Sequence, residues 1–497
     1  MDILDFHEVA MRNSTILILF FSLVFVSSGL AQDLQWARTY GTTGIEIAYD
    51  VQQTADGGYI LAGDTWFETA GWNDFYIVKT DASGDTLWTR KYGGTETERA
   101  YAVHQTQDGG YYVSGFTETF GAGYTDFWLL RMDSEGDTLW SRTYGTASAY
   151  ERGYCGDLLS DGGYVIGGLK SGTGEFYVVR VDTLGTEVWT NSYKPNAGPY
   201  VYEAFGIQET EDGGFIIAGN GDSLYVVKTA WDGSVDWAHT YGEGDLCYDV
   251  DQTSDGGYVV TGATPVESYY HVLLMKLDAG GNTLWSRDWD RNENSRGHAA
   301  RQTEDGGYVV AGFTFAQSQW VDSVYVIKTD PSGDKIWEGV YGGWTDDQAW
   351  DIEQTTDGGY IVAGYTASFG AGDDDFFLLK LSGDQPPVSI ELIPDDDPVV
   401  VEPGGSFSYT GILQNNTNLP LAGDVWVMVR LPGGSMYGPV KRFDGIPLGP
   451  QLNITVPGIT QEIPFSSPPG TYGYTAYCGL FSSVKVDSSS FDFTVTE

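Results

Sequence analysis

The sequence predicts an all-β protein: a seven-bladed β-propeller closed by its N-terminal strand, followed by an immunoglobulin-like β-sandwich. Three observations carry that expectation. The tripeptide Asp-Gly-Gly, followed by Tyr or Phe, begins at Asp56, Asp108, Asp161, Asp212, Asp255, Asp305 and Asp357, at spacings of 43 to 53 residues. A Trp recurs in step at Trp36, Trp88, Trp140, Trp189, Trp237, Trp285 and Trp337. The repeat is also offset at its two ends, which is the mark of a ring sealed by strand pairing.

The first element is a signal peptide over residues 1–31. Met11-Arg12 precedes an apolar run from Ile16 to Val26 that is too short to span a bilayer, and Gly29 and Ala31 suit cleavage before Gln32. Met11 is the expected true start. Residues 32–384 are the propeller. In its second repeat four strand-like runs, a to d, cover Tyr101 to Thr106, Tyr111 to Phe116, Phe127 to Met132 and Thr138 to Tyr144, each rich in aromatic and β-branched residues. The a–b and c–d links are short and contain Gly where φ must be positive. The mature chain opens on a d-type strand, Leu34-Gln-Trp-Ala-Arg-Thr-Tyr-Gly41, and the repeats end on a c-type strand, Phe376 to Leu381. Seven blades are complete only if the first strand finishes the last blade, which removes an exposed edge.

Units such as Asp108-Gly-Gly-Tyr-Tyr-Val-Ser-Gly-Phe-Thr, Thr125-Asp-Phe-Trp-Leu-Leu-Arg-Met-Asp and Gly136-Asp-Thr-Leu-Trp-Ser-Arg-Thr-Tyr-Gly resemble the seven-bladed propeller repeats common in exported bacterial proteins, of the SBBP-like kind. The resemblance covers residues 34 to 382 and implies an exported propeller. Residues 385–497 form the remaining unit: Gln385-Pro-Pro marks a linker, and about seven alternating strands with Gly and Pro turns fit an immunoglobulin-like sandwich.

Several residue types recur as architecture. Every strand c carries a cation, Lys79, Arg131, Arg180, Lys228, Lys276, Lys328 or Lys380, and an Asp often follows two positions later, as at Asp81 and Asp133, so a structural ion pair or a salt link to a neighbouring strand is expected. In strand d an aromatic, a cation and an aromatic alternate on one face, as in Trp88, Arg90 and Tyr92, which suits packing between blades. Cys155, Cys247 and Cys478 are expected to be buried free thiols.

Composition narrows the function. A net charge of −44 disfavours nucleic acid, because a polyanionic surface gains no counterion release on binding phosphate. No second apolar run offers a membrane span. Turns such as Asp81-Ala-Ser-Gly-Asp85 place two carboxylates close together, which keeps calcium open, yet such a turn supplies too few oxygens by itself, and no cofactor is expected. No Gly-x-Ser-x-Gly, His-Glu-x-x-His or phosphate-binding loop is present, and the sequence marks no catalytic set.

Recognition is expected on the face bearing the b–c and d–a connections, which differ from blade to blade, whereas the a–b and c–d turns are uniform. The candidate ligand-binding residues there are Trp66, Phe67, Trp72, Tyr124, Tyr269, Tyr270, Trp320 and Trp344. Exposed aromatics beside Asp and Asn suit sugar rings or protein hot spots. The expectation is a secreted or cell-surface, non-catalytic binding or adhesion protein whose ligand is a glycan or protein. The alternatives are a carbohydrate-active enzyme using carboxylates near the central channel, and a structural envelope component.

Overall fold

In the computed structural model, residues 34–66, 71–172, 174–195, 201–289, 294–316, 321–383, 388–396, 398–415, 421–448, 452–480 and 484–496 are described. The signal segment, Phe67, Trp320 and the Gln385-Pro-Pro linker lie outside them. The described residues form strands and turns throughout, and no helix among them is long and apolar enough to cross a membrane.

Within the repeat region the strands make seven four-stranded antiparallel sheets. Six are meanders of consecutive strands. The seventh joins Asp347–Gln354, Tyr360–Thr366 and Asp375–Leu381 to Leu34–Tyr40 from the other end of the chain. There Trp36 lies opposite Lys380 and Tyr40 opposite Phe376. The a strands of successive sheets touch in order, and the a strand of the last sheet touches that of the first. The fold is therefore all-β and of the β-propeller kind.

The Asp-Gly-Gly turn explains its own composition. The first glycine takes φ near +80°, as at Gly57 (82°) and Gly109 (83°), where a Cβ is strained. A Cβ on the second, Gly58, would overlap the Thr80 carbonyl oxygen of strand c. Asp56 Oδ1 accepts the Gly58 N–H at 2.9 Å and the Thr54 hydroxyl at 2.6 Å, and Lys79 Nζ donates to Asp56 Oδ2 at 2.9 Å and to the Thr80 carbonyl at 2.8 Å. The same ion pair recurs in all seven repeats.

Of the partners expected for the strand-c cation, the one found belongs to the neighbouring a–b hairpin, the turn Asp, and not to the Asp two positions on. Asp81 lies past the strand end, where its Oδ1 accepts the N–H groups of Ser83 and Asp85 at 2.9 Å each. The cation instead folds back over the a–b turn.

Blades pack through their d strands. In six joints the strand-d Trp meets the strand-b aromatic of the next sheet edge-on, as Trp36 meets Tyr59, with centroids 5.5 to 6.0 Å apart. Arg38, Arg90, Arg142 and Arg287 lie over Trp36, Trp88, Trp140 and Trp285. Cys155, Cys247 and Cys478 are free and buried.

The C-terminal strands form a three-stranded sheet (Val388–Pro394, Ser406–Asn415, Asn453–Glu462) and a five-stranded sheet (Val399–Val401, Val484–Val495, Gly470–Leu480, Leu421–Arg430, Met436–Leu448). Ile390, Phe407 and Tyr409 from the first share one core with Val427, Tyr474 and Phe493 from the second.

Candidate functional site

The seven a strands line a channel, and their side chains are best numbered back from each Asp-Gly-Gly. Seven residues before the Asp stand Tyr49, Tyr101, Tyr154, Phe205, Tyr248, His298 and Trp350. Each ring touches the next, with centroids 4.2 to 5.9 Å apart, and Trp350 returns to Tyr49 at 5.1 Å. The result is a closed aromatic collar. In every a–b pair the register slips at this residue, for example between Ala48 and Asp50. Such a bulge re-aims the strand, so Tyr49 and Asp50 both line the channel.

A cavity of about 600 Å³ takes in the collar, and past the rings its walls include Asp50, Asp157, Asp249, Asp251, Asp351 and Glu353, with His104 and Arg301. These carboxylates are acceptors for the backbone of the next blade. Asp50 takes the Val103 N–H at 2.6 Å, Asp157 that of Glu209 at 2.7 Å, Asp249 that of Ala300 at 3.1 Å and Glu353 that of Gln53 at 3.1 Å. Gln52 and Gln208 do the same for Gln105 and Gln252. Asp351 Oδ2 accepts the Val51 N–H at 3.2 Å while its Oδ1 takes Arg301 at 3.0 Å, and Arg301 also pairs with Asp249.

Charge is scarce on the positive side. Burial pushes Asp351 up to about 8 despite Arg301, and Glu353 up to about 7 with Asp351 adding to it. Burial raises Asp50, Asp157 and Asp251 as well. It lowers His298 to about 4, leaving a neutral collar imidazole whose Nδ1 lies 2.8 Å from the Ala349 carbonyl oxygen. At neutral pH the Asp351 carboxyl holds its proton. Among the described residues no cluster of three or more His, Cys, Asp or Glu side chains is placed to hold a metal ion.

On the other side of the collar, nine residues before the Asp, three of the seven a strands carry Arg99, Arg152 and Arg296. Each leans toward the preceding sheet. Arg99 Nε is 3.8 Å from Asp64, Arg152 lies over Phe116 at 5.3 Å with Glu118 at 3.7 Å, and Arg296 lies over Tyr270 at 5.3 Å and bonds the Tyr248 hydroxyl at 3.1 Å.

The candidate aromatics sit outward of these strands, in four separate connections. Trp72 and Tyr124 are each 61% exposed and Trp344 is 75% exposed. Trp72 bonds through its N–H to the Glu96 carbonyl, three residues before Arg99. Tyr124 stacks on Tyr150 at 4.8 Å and 13°, two residues before Arg152. Tyr270 is half-buried beneath Arg296, Tyr269 is exposed, and Trp66 ends its strand half-buried. Tyr150, the arginines and the collar escaped the sequence reading. Aligning the seven repeats on Asp-Gly-Gly finds the arginines and the collar, since both fall at constant distances from it.

Fold and site together define an all-β protein of the β-propeller kind whose candidate site lies at the channel and its rim. No protein-family model matches the chain, and no curated protein does. Solved structures resemble it in part. The β-propeller domain of the Trilobed protease from Pyrococcus furiosus, described as having an open velcro topology, is 12% identical, with 70% of this chain and 97% of that one covered and a TM-score of 0.40. Sqt1 from Chaetomium thermophilum is 9% identical over 70% of this chain and 100% of that one, with a TM-score of 0.42. A protein of unknown function from Bacteroides caccae is 13% identical, with 57% and 93% covered and a TM-score of 0.37.

Proposed function

We propose that this is a secreted or cell-surface, non-catalytic binding protein that takes a glycan on its variable face. In this reading the seven sheets are the blades of a seven-bladed propeller closed by Leu34–Tyr40, residues 1–31 direct export, and the unit after residue 385 is an immunoglobulin-like sandwich serving as spacer or adhesion module. The observation that carries the proposal is the rim. Trp72 and the stacked Tyr124–Tyr150 pair are exposed on irregular connections and lead inward to arginines and tyrosines. Flat rings beside polar groups stack the apolar faces of sugars and bond their hydroxyls. The channel carboxylates that a hydrolase would need are instead occupied as acceptors between blades.

The test is a screen of residues 32–497 against arrayed glycans and cell-wall polymers. Trp72→Ala and Tyr124→Ala are expected to weaken the recovered interaction at least tenfold with melting temperatures unchanged. Binding of a protein ligand alone, binding indifferent to both changes, or turnover of a bound glycan would overturn the reading.

A further inference from the structure

Resting on that reading, we propose that the ligand is a carboxylated glycan, whose sugar carboxylate is engaged by Arg99 and Arg152, on adjacent a strands at the variable-face end of the channel. The chain has 25 Lys and Arg against 69 Asp and Glu, so the placement of each cation is informative. One per blade pairs with the Asp of a turn, and four lie flat on strand-d Trp rings. Arg99, Arg152 and Arg296 belong to neither set, yet share one position, nine residues before the Asp-Gly-Gly, on three a strands.

Arg99 and Arg152 each bond a collar tyrosine, Tyr101 and Tyr154, and keep other donors unused. The side chains of Arg99 and Arg152 are 39% and 40% exposed, and the nearest carboxylates, at 3.8 and 3.7 Å, are beyond hydrogen-bond range. The Nε atom of each is a buried donor without an acceptor. Buried donors left this way call for an explanation in a native structure. The acids around them are also poor counter-charges. Burial pushes Asp64 up to about 6 even against Arg99, and raises Glu203 against Arg152 and Asp322 near Arg296. Near pH 6 the Asp64 carboxyl is half protonated and holds Arg99 less strongly.

The surroundings fit a sugar acid better than an inorganic anion. Tyr150 immediately precedes the strand Glu151–Leu158 that carries Arg152 and the collar ring Tyr154, so a stacked ring and a collar ring flank the fork along the chain. A pyranose stacked on the Tyr124–Tyr150 pair, at the channel rim, presents its carboxyl edge toward Arg152. The guanidinium is held planar over Phe116, and a planar fork suits bidentate capture of a carboxylate.

The experiment is calorimetry at pH 6 on the full protein with galacturonate, glucuronate and sialylated oligosaccharides, each paired with its carboxyl methyl ester. An acid is expected to bind at least tenfold tighter than its ester, with affinity falling as NaCl rises from 50 to 300 mM. Arg99→Gln and Arg152→Gln are expected to lose about tenfold for the acid and little for the ester. Equal binding of acid and ester, which uses wild-type protein only, overturns this inference while sparing the glycan reading. Retained preference in both variants also overturns it. Binding of no saccharide of any kind removes both.

Discussion

Asp255 accepts the Gly257 N–H at 3.0 Å, the Thr253 hydroxyl at 2.6 Å and the Lys276 ammonium at 2.9 Å, while Lys276 itself is buried. Burial opposes ionisation of this carboxyl, but the hydroxyl, the ammonium and the backbone donor outweigh it and hold the group down at about 2. Removing the acid strands a buried ammonium, whereas removing both partners leaves a hydrocarbon stem in an apolar slot. Asp255→Ala is therefore expected to cost about 2 kcal/mol, less than a fully buried pair because the carboxylate is half in solvent. Lys276→Met in the same background should recover part of the loss in urea denaturation. The motif was plain in the sequence and its bonding was not. A period-two reading pairs Lys79 with Asp81, and only the turn geometry shows that Asp81 is consumed by Ser83 and Asp85.

Strand a shows how far periodicity reaches at the level of an element. The repeat and the phase offset located the sheets, because glycine turns and strand-d Trp residues must recur wherever the same hairpin is built. The collar went unread for two reasons. A bulge in each a strand breaks the simple alternation of side chains, and the collar position accepts Tyr, Phe, His and Trp alike. The arginines do not recur in every repeat, since only three of the seven strands carry them, and only an alignment on Asp-Gly-Gly brings them to one position. The exposed rim aromatics Trp72, Tyr124 and Trp344 were legible because they interrupt the repeat. At this scale the sensitive strand is Leu34–Tyr40, which completes the sheet ending at Leu381. Deleting residues 32–45 uncovers that edge and removes the Trp36–Tyr59 joint, so scanning calorimetry is expected to show a melting temperature lower by more than 10 °C, or aggregation on heating.

Across the whole molecule, charge sets the response to solvent. Asp351 and Glu353 bind protons more tightly in the folded channel, with values of about 8 and 7. Unfolded carboxyls titrate near pH ~4. Their contribution to stability is thus complete below that point and is lost as pH rises through 7 and 8. Melting temperature is expected to fall from pH 6.5 to 8.5. Glu353→Gln keeps the acceptor for the Gln53 N–H and should be more stable than wild type at pH 8.5 by about 1 kcal/mol. The net charge of −44 adds a general self-repulsion, so 0.3 M NaCl should raise the melting temperature of both proteins.

The pairing of Leu34 with Leu381 has a mechanical consequence. The chain enters the ring at Leu34 and leaves it at Leu381, so both tethers emerge at the same end of one antiparallel pair. Tension between them loads the strand-to-strand bonds one after another instead of all together. Peeling of that kind yields at low force, and the first strand would unzip while the other six sheets stay intact. Stretched between two anchors, this molecule is a ring with a weak link at a defined place, and it lengthens by opening there.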